Sequence, residues 1–85
     1  MDLSKISKEK KAMPELKNRL KELRARDGLN QTELAKKAEV SRQIISLIER
    51  GEYTPSVVIA LKIASIFGES VESVFRLVEI KGEEK

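Results

Sequence analysis

The side chains best suited to binding chemistry lie in residues 42–50, RQIISLIER. If this stretch is a helix, successive residues advance by about 100°, so one arc carries five side chains: Arg42, Gln43, Ser46, Leu47 and Arg50. Arginine can bind guanine through two hydrogen bonds, and glutamine can bind adenine in the same way. A helix presenting these residues suits the major groove of B-DNA. Because ordinary surface helices also present charged and amide side chains to water, this face alone leaves that alternative open.

The amino-acid composition argues against an enzyme. The chain has no cysteine and no histidine, which removes disulfides, zinc fingers, thiolate nucleophiles and histidine acid–base catalysis. Ser41, Ser46, Lys36 and Glu33 are present, but no nucleophile and base stand at a plausible spacing. A glycine-rich phosphate loop is also absent from the sequence. We therefore predict that the protein is not an enzyme, binds no cofactor or metal, and has no evident small-molecule ligand.

Residues 31–51 contain the elements that would position the polar arc. Helical spacing of apolar residues predicts two short helices joined by a sharp turn that contains Val40. The apolar positions of these helices are Leu34, Ala35 and Ala38 in the first, and Ile44, Ile45 and Ile48 in the second. Asn30 and Glu33 predict a capping box at the start of the first helix. Ser41 predicts the cap of the second helix, and Gly51 predicts where the second helix ends.

This pattern resembles the helix-turn-helix of the phage repressor and Cro family, also called the XRE family. The resemblance extends from about Leu16 to Leu77, and it is carried by the following residues: Gln31, Leu34, Ala35, Ala38, Val40, Ile45, Ile48 and the ending Glu49–Arg50–Gly51. It implies an all-α fold, a compact five-helix lambda-repressor-like domain whose second and third helices form the motif. Two departures are Glu39, where the family often has glycine in a left-handed turn, and Leu47, which replaces a frequently polar residue.

The resemblance also implies roles for individual residues, because the second helix of the motif lies in the major groove while the first crosses the DNA backbone. The expected base-reading residues are Arg42, Gln43, Ser46 and Leu47. The expected phosphate-binding residues are Gln31, Lys36, Arg50, Tyr53 and Thr54, although Tyr53 could equally be a half-buried aromatic. An ion pair between Arg24 and Glu49 is expected to tie the first helix of the domain to the recognition helix.

The remaining elements are predicted from turn and cap residues. Pro14 suits the start of a first helix that ends near Asp27, with Leu16, Leu20 and Leu23 on one face. Thr54 would cap a fourth helix, Ser56–Phe67, with Pro55 in its first turn. Ser70 would begin a fifth helix with Val71, Val74 and Phe75 on one face. Residues 76–81 could form either a short strand or a helix end that contributes to a dimer contact.

Domain organisation follows from length, 40% hydrophobic residues and an uneven net charge of +3. We predict a basic arm at 1–13, a single helix-turn-helix domain at 14–78 and a tail at 79–85. The arm could be a poorly ordered terminus or could follow DNA phosphates. Residues 1–50 carry 13 basic against 8 acidic side chains and residues 51–85 carry 4 against 6, so positive charge concentrates where the DNA-reading helix lies.

The favoured function is a sequence-specific regulator of double-stranded DNA, most simply a repressor, acting as a dimer in the cytoplasm without a membrane segment. Apolar residues near the carboxyl end could form the dimer interface or complete the core: Val74, Phe75, Leu77, Val78 and Ile80. The alternative is a protein-interaction module, either an antitoxin that binds a toxin as well as its operator, or a coactivator adaptor. The sequence shows no obvious extension for binding a toxin.

Overall fold

The structure is a computed structural model that describes residues 13–80. Five helices and a two-stranded antiparallel sheet follow one another in this part of the chain. They are strand β1 (Met13–Asn18), helices α1 (Leu20–Asp27), α2 (Gln31–Ala38), α3 (Arg42–Glu49), α4 (Val57–Phe67) and α5 (Val71–Val74), and strand β2 (Phe75–Ile80). Five helices are therefore present, as predicted. The all-α description needs correction, because strands at the two ends of the described residues pair to form a sheet.

Helices α2 and α3 form the predicted helix-turn-helix, and local signals fix where each begins. The Asn30 side chain accepts a hydrogen bond from the Glu33 amide, and the Glu33 carboxylate accepts one from the Asn30 amide, which completes the capping box. Ser41 caps α3 by accepting from the Ile44 amide. Between the helices Glu39 has φ 63° and ψ 41°, so a residue other than glycine adopts the left-handed conformation expected of this turn.

A single apolar cluster holds the five helices together. Its buried members come from every helix and from the first residue of β2: Leu20, Leu23, Leu34, Ala35, Ala38, Ile45, Ile48, Ile63, Ala64, Phe67, Val74 and Phe75. Val74 and Phe75, which the sequence assigns to either a dimer interface or the end of the core, are both buried in this core. Burial of this apolar surface is the main favourable contribution to the fold.

The predicted start of the first helix at Pro14 is wrong. Residues 13–18 form β1, which pairs with β2 so that Leu16 lies opposite Leu77 and Asn18 opposite Phe75. Helix α1 begins at Leu20, where the Asn18 side chain accepts a hydrogen bond from the Leu20 amide. The pairing partner comes from the other end of the domain, so the local leucine spacing could not indicate it. Residues 76–80 thus form the strand alternative rather than a helix end.

Two further boundaries differ from the sequence prediction. Helix α4 is capped by Ser56, which accepts from the Ile59 amide, so Thr54 is not its cap and Pro55 precedes the helix. Ser70 caps α5 as predicted by accepting from the Ser73 amide, but Phe75 lies in β2.

The sheet reaches beyond the predicted domain limits of 14–78, since β1 begins at Met13 and β2 ends at Ile80. The lysines of the predicted arm before residue 13 and the tail after residue 80 lie outside the described residues. No helix within residues 13–80 has the length and apolar character needed to cross a membrane.

Candidate nucleic-acid interface

Helix α3 separates its side chains into a buried and an exposed face. Ile45 and Ile48 are fully buried against the core, and Ile44 is partly buried beside them. Arg42 and Gln43, in the first turn, are exposed. The two faces follow from the helical period, which turns apolar residues three apart in the sequence toward one side. The predicted base-reading residues at the start of the helix are consequently accessible.

Ser46 and Leu47, the other two predicted base-reading residues, are partly buried in the middle of α3. The Ser46 hydroxyl accepts a hydrogen bond from Arg50 Nη1 at 3.2 Å, while Arg50 Nη2 donates to Glu52 Oε1 at 3.3 Å. The guanidinium of Arg50 therefore lies along the carboxyl end of α3, held by neighbouring oxygens. Ser46 and Leu47 are thus less accessible than the first turn, whereas Arg50 is exposed and restrained by these two hydrogen bonds.

The ion pair predicted between Arg24 and Glu49 is present. Arg24 Nε lies 2.6 Å from Glu49 Oε2, and Arg24 Nη2 lies 3.1 Å from Glu49 Oε1, so the contact is bidentate. Arg24 Nη1 also donates to the Leu29 carbonyl at 3.2 Å. The side chains are only 15% and 9% exposed, which makes this the most shielded of the ion pairs among the described residues. It connects α1 directly to the carboxyl end of α3.

Gln31 extends this pair toward the exposed first turn of α3, a connection that sequence reasoning missed. Its Nε2 donates to Glu49 Oε1 at 3.1 Å, and its Oε1 accepts from Arg42 Nη1 at 3.1 Å. The side chains of Arg24, Glu49, Gln31 and Arg42 thus form one hydrogen-bonded series from α1 to the first turn of α3. The packing of α2 against α3 decides which side chains at their starts come into contact. The sequence therefore gave only one hint of these hydrogen bonds, namely that Gln31 is the first residue of α2.

Asn18 makes a second contact with α3 that sequence reasoning missed. Its Nδ2 donates to the Ile48 carbonyl at 3.0 Å, while its Oδ1 accepts from the Leu20 amide at 3.1 Å. One side chain therefore joins the end of β1, the start of α1 and the last turn of α3. The Ile48 carbonyl also accepts from the Gly51 amide at 3.0 Å, so Asn18 is a second donor to the same oxygen and ties the end of α3 to β1 and α1.

The loop after α3 carries the predicted phosphate-binding residues Tyr53 and Thr54, and both are exposed. Gly51 has φ 76°, a left-handed conformation that favours glycine, and it turns the chain away from the helix. Tyr53 and Thr54 line a groove of about 210 Å³ together with Pro14 and Leu16 of β1. The loop therefore lies between the end of α3 and the sheet.

The charges around the motif favour an anionic ligand on the α2 and α3 side. Lys36 is exposed on α2, and Arg42 is exposed at the start of α3. Glu39, in the turn, accepts a hydrogen bond from Lys62 Nζ at 2.7 Å, and this contact lowers the pKa of the Glu39 carboxyl below its usual value. The acidic side chains of the turn and of Glu49 are thus both paired with cations. Among the described residues no group of three or more acidic side chains could hold a metal ion.

Comparison with known proteins gives consistent matches over the same region. A family described as Helix-turn-helix matches residues 20–74. A Bacillus subtilis protein described as an uncharacterized HTH-type transcriptional regulator is 47% identical over 64 residues, covering 75% of this chain and 97% of that protein. A Methanocaldococcus jannaschii protein with the same description is 52% identical over 60 residues, covering 71% of this chain and 91% of that protein.

Similarity to a solved structure extends to three dimensions. The crystal structure of the restriction-modification controller protein C.AhdI from Aeromonas hydrophila aligns with a TM-score of 0.61 and 34% sequence identity. The alignment covers 65% of this chain and 83% of that protein. Together with the capped α2–turn–α3 unit, these matches show that the chain belongs to the XRE-type helix-turn-helix family and is a transcriptional regulator with a DNA-binding domain.

Proposed function

We propose that this regulator reads a specific double-stranded DNA sequence by inserting α3 into the major groove. The observation that carries the proposal is the exposed first turn of α3, where Arg42 and Gln43 stand opposite the buried Ile45. Arginine and glutamine are the side chains that bind guanine and adenine through paired hydrogen bonds. Ser46 and Leu47 extend this footprint, with Leu47 suited to contact a thymine methyl group.

The series of hydrogen bonds behind α3 supports a base-reading role for Arg42. Arg42 Nη1 donates to Gln31 Oε1, and Gln31 Nε2 donates to the shielded carboxylate of Glu49. A long side chain that is already oriented loses less conformational freedom on binding. The contact with Gln31 fixes the orientation of the Arg42 guanidinium, so its remaining N–H donors would meet a base in a single geometry.

The proposed phosphate contacts surround the same face and include Gln31, Lys36, Arg50, Tyr53 and Thr54. Phosphate contacts set the position of the protein on the duplex without reading sequence. The backbone amides at the start of α2 add donors beside Gln31, because a helix amino terminus favours anions. Arg50 is already held by Ser46 and Glu52, so its phosphate contact would require those hydrogen bonds to rearrange.

A single recognition helix covers only a few base pairs, so we infer that two copies bind a two-fold symmetric site. The half-sites would then lie about 34 Å apart, one turn of B-DNA. Repression by excluding RNA polymerase is the simplest outcome of such binding. Residues 13–80 form one domain and contain no second domain that could bind an inducer.

Selection of bound duplexes from random DNA, followed by affinity measurements with two arginine variants, tests this proposal. Arg42→Ala should weaken binding to the selected site by about 1–3 kcal/mol and relax the preference at one base pair. Arg76→Ala is the matched control, because it removes the same charge from an exposed residue on β2. Equal losses in the two variants, or a selection that enriches no sequence, would exclude base reading by Arg42.

A further inference from the structure

Two cations face each other across the two-stranded sheet. Lys17 of β1 lies directly opposite Arg76 of β2 in the antiparallel register, and both side chains are exposed. Directly opposed residues project to the same face with Cβ atoms about 4.5–5.5 Å apart, so like charges there destabilise the strand pairing. We call these two residues the cation pair. A sheet selected for stability alone would carry opposite charges here, and departures of this kind concentrate at functional sites.

Neighbouring carboxylates compensate the cation pair only weakly. Lys17 Nζ lies 3.4 Å from Glu15 Oε2, but these side chains are 56% and 47% exposed, and ion pairs so well solvated contribute little. None of the ion pairs within residues 13–80 includes Arg76. In this part of the chain the Arg76 guanidinium therefore keeps its planar donor edge, which matches a carboxylate or a phosphate group.

The cation pair lines an open cavity of about 470 Å³ between the sheet, α1 and α5. This volume falls within the range of about 300–1,000 Å³ that is typical of small-molecule sites. Arg19 and Ser73 form another part of the wall and hold each other in place, because Arg19 Nη1 donates to both the hydroxyl and the carbonyl of Ser73 at 3.0 Å. The cavity thus combines one preorganised wall with two cations on the sheet.

Two carboxylates also line the cavity, and they limit the charge of a ligand. Glu22 accepts hydrogen bonds of 2.8 and 3.3 Å from Arg19, which lower the pKa of its carboxyl below the usual value. Glu72 takes part in none of the ion pairs within residues 13–80. A nucleic-acid strand would meet the repulsion of Glu72 along its phosphates, whereas a small molecule can direct a single anionic group to the cation pair.

The cavity lies apart from the surface proposed to bind DNA. Its lining residues include none from α2 or α3, and it shares only Asn18 with the groove beside Tyr53 and Thr54. Asn18 follows Lys17 in β1 and donates to the Ile48 carbonyl at 3.0 Å. A ligand in the cavity would therefore leave the helix-turn-helix accessible and would lie one residue from a contact that holds α3.

We propose that the cation pair and its cavity bind a small molecule through one carboxylate or phosphate group. Arg76 would donate to two oxygens of that group side by side, and Lys17 would supply a second positive charge. Binding would offset the repulsion across the sheet and so stabilise the strand pairing. The inference does not depend on base reading by α3. The sequence alone indicated no small-molecule ligand, because residues 17 and 76 meet only through the pairing of the two strands.

Titration of the isotopically labelled full chain with sodium phosphate, and separately with sodium glutamate, tests the site by nuclear magnetic resonance at constant ionic strength. We expect at least one of these anions to cause saturable amide shifts centred on Lys17, Ser73 and Arg76, and sodium chloride to cause none. Saturation by phosphate alone or by glutamate alone would support the site and identify which anionic group it takes. Absence of saturable shifts at these residues, or shifts spread evenly over basic residues, would overturn the proposal.

Reversal of one charge separates binding from folding. Lys17→Glu places an acid opposite Arg76, so the variant should melt at the wild-type temperature or above it. It should lose about 10-fold or more in affinity for the anion that binds, because the new carboxylate occupies Arg76. Lys21→Glu is the matched control, since it makes the same charge change at an exposed residue of α1 that does not line the cavity. Equal losses in the two variants would reduce the effect to net charge and overturn the site.

Glu72 provides a test in the opposite direction. Glu72→Gln removes a negative charge from the cavity wall and should tighten binding of the same anion by about 2- to 5-fold, the effect of one nearby charge in water. The same titration measures this change. An unchanged affinity would place the bound anion outside the cavity, and a weaker affinity would reject an anion as its ligand.

Binding to the selected DNA separates this inference from the proposed function. Without added anion, Lys17→Glu and Lys21→Glu should bind that DNA equally, because they change the net charge alike. A greater loss for Lys17→Glu would assign the cation pair to DNA, which overturns this inference and leaves base reading by Arg42 intact. Anion binding that depends on Lys17, in a chain that selects no DNA sequence, would support this inference and reject the proposed function.

Discussion

Helices α3 and α4 both bury one side in the core, but their outer sides differ in chemistry. The exposed first turn of α3 carries Arg42 and Gln43, whereas the exposed ridge of α4 carries Val57, Val58 and Leu61. Water solvates the first surface well and the second poorly. Two neighbouring helices of one small domain therefore present surfaces of opposite character, and we propose DNA as the partner of the polar surface of α3.

The two helices also differ in the way their inner sides are held. The buried residues of α4 are apolar, namely Ile63, Ala64 and Phe67. Helix α3 combines the buried Ile45 and Ile48 with the shielded ion pair of Glu49 and Arg24. An ion pair with hydrogen bonds at fixed angles restricts orientation more than apolar packing does. The helix proposed to align with DNA bases is thus the one with a directional anchor.

The largest expected effect comes from breaking that anchor. Arg24→Met should lower the free energy of unfolding by about 3–5 kcal/mol, because it leaves the Glu49 carboxylate shielded from water without its cation. Urea denaturation followed by circular dichroism measures this change.

The exposed pair of Arg19 and Glu22 provides the control for that measurement. Arg19→Met removes the same guanidinium from a solvated ion pair and should cost about 0.2–1 kcal/mol. Equal costs at positions 19 and 24 would mean that the Arg24–Glu49 pair is not a structural anchor of α3.

Intermediate effects are expected at the helix caps, where α3 and α4 are alike. Ser41→Ala and Ser56→Ala should each reduce stability by about 1 kcal/mol, since each removes the acceptor for an amide at a helix start. Thr54→Ala should change stability by less than about 0.5 kcal/mol, as expected for an exposed loop residue, while weakening DNA binding if its hydroxyl contacts phosphate. A larger stability loss for Thr54→Ala than for Ser56→Ala would contradict the observed start of α4.

The smallest expected effect concerns Lys36, on the solvated side of α2. Lys36→Ala should weaken binding to all DNA sequences alike and reduce the slope of log affinity against log salt by about 0.9, the value for one phosphate contact. Thermal stability should not change. A sequence-dependent loss would assign Lys36 to base contacts, and an unchanged salt slope would remove it from the proposed interface.

The motif could be predicted from sequence because its determinants are local. The capping box of Asn30 and Glu33 and the Ser41 cap involve residues three apart, and the buried isoleucines follow the helical period. The predicted cap of α4, Thr54, lies two residues before the observed cap, Ser56, because both side chains can cap a helix and the chain path after Gly51 selects between them. The Arg24–Glu49 pair came from the family resemblance, since the sequence itself does not specify which charges meet.

The amino-acid sequence by itself determined the α2–turn–α3 unit and its sorting into apolar and polar faces, because those features depend on contacts within one or two helical turns. Tertiary structure alone decided that Leu16 belongs to a strand, that Gln31 connects Glu49 to Arg42, and that one apolar side of α4 remains exposed. Each of these depends on groups far apart in the chain. Leu16 and Leu77 become partners only when the folded helices bring the two ends of the domain together.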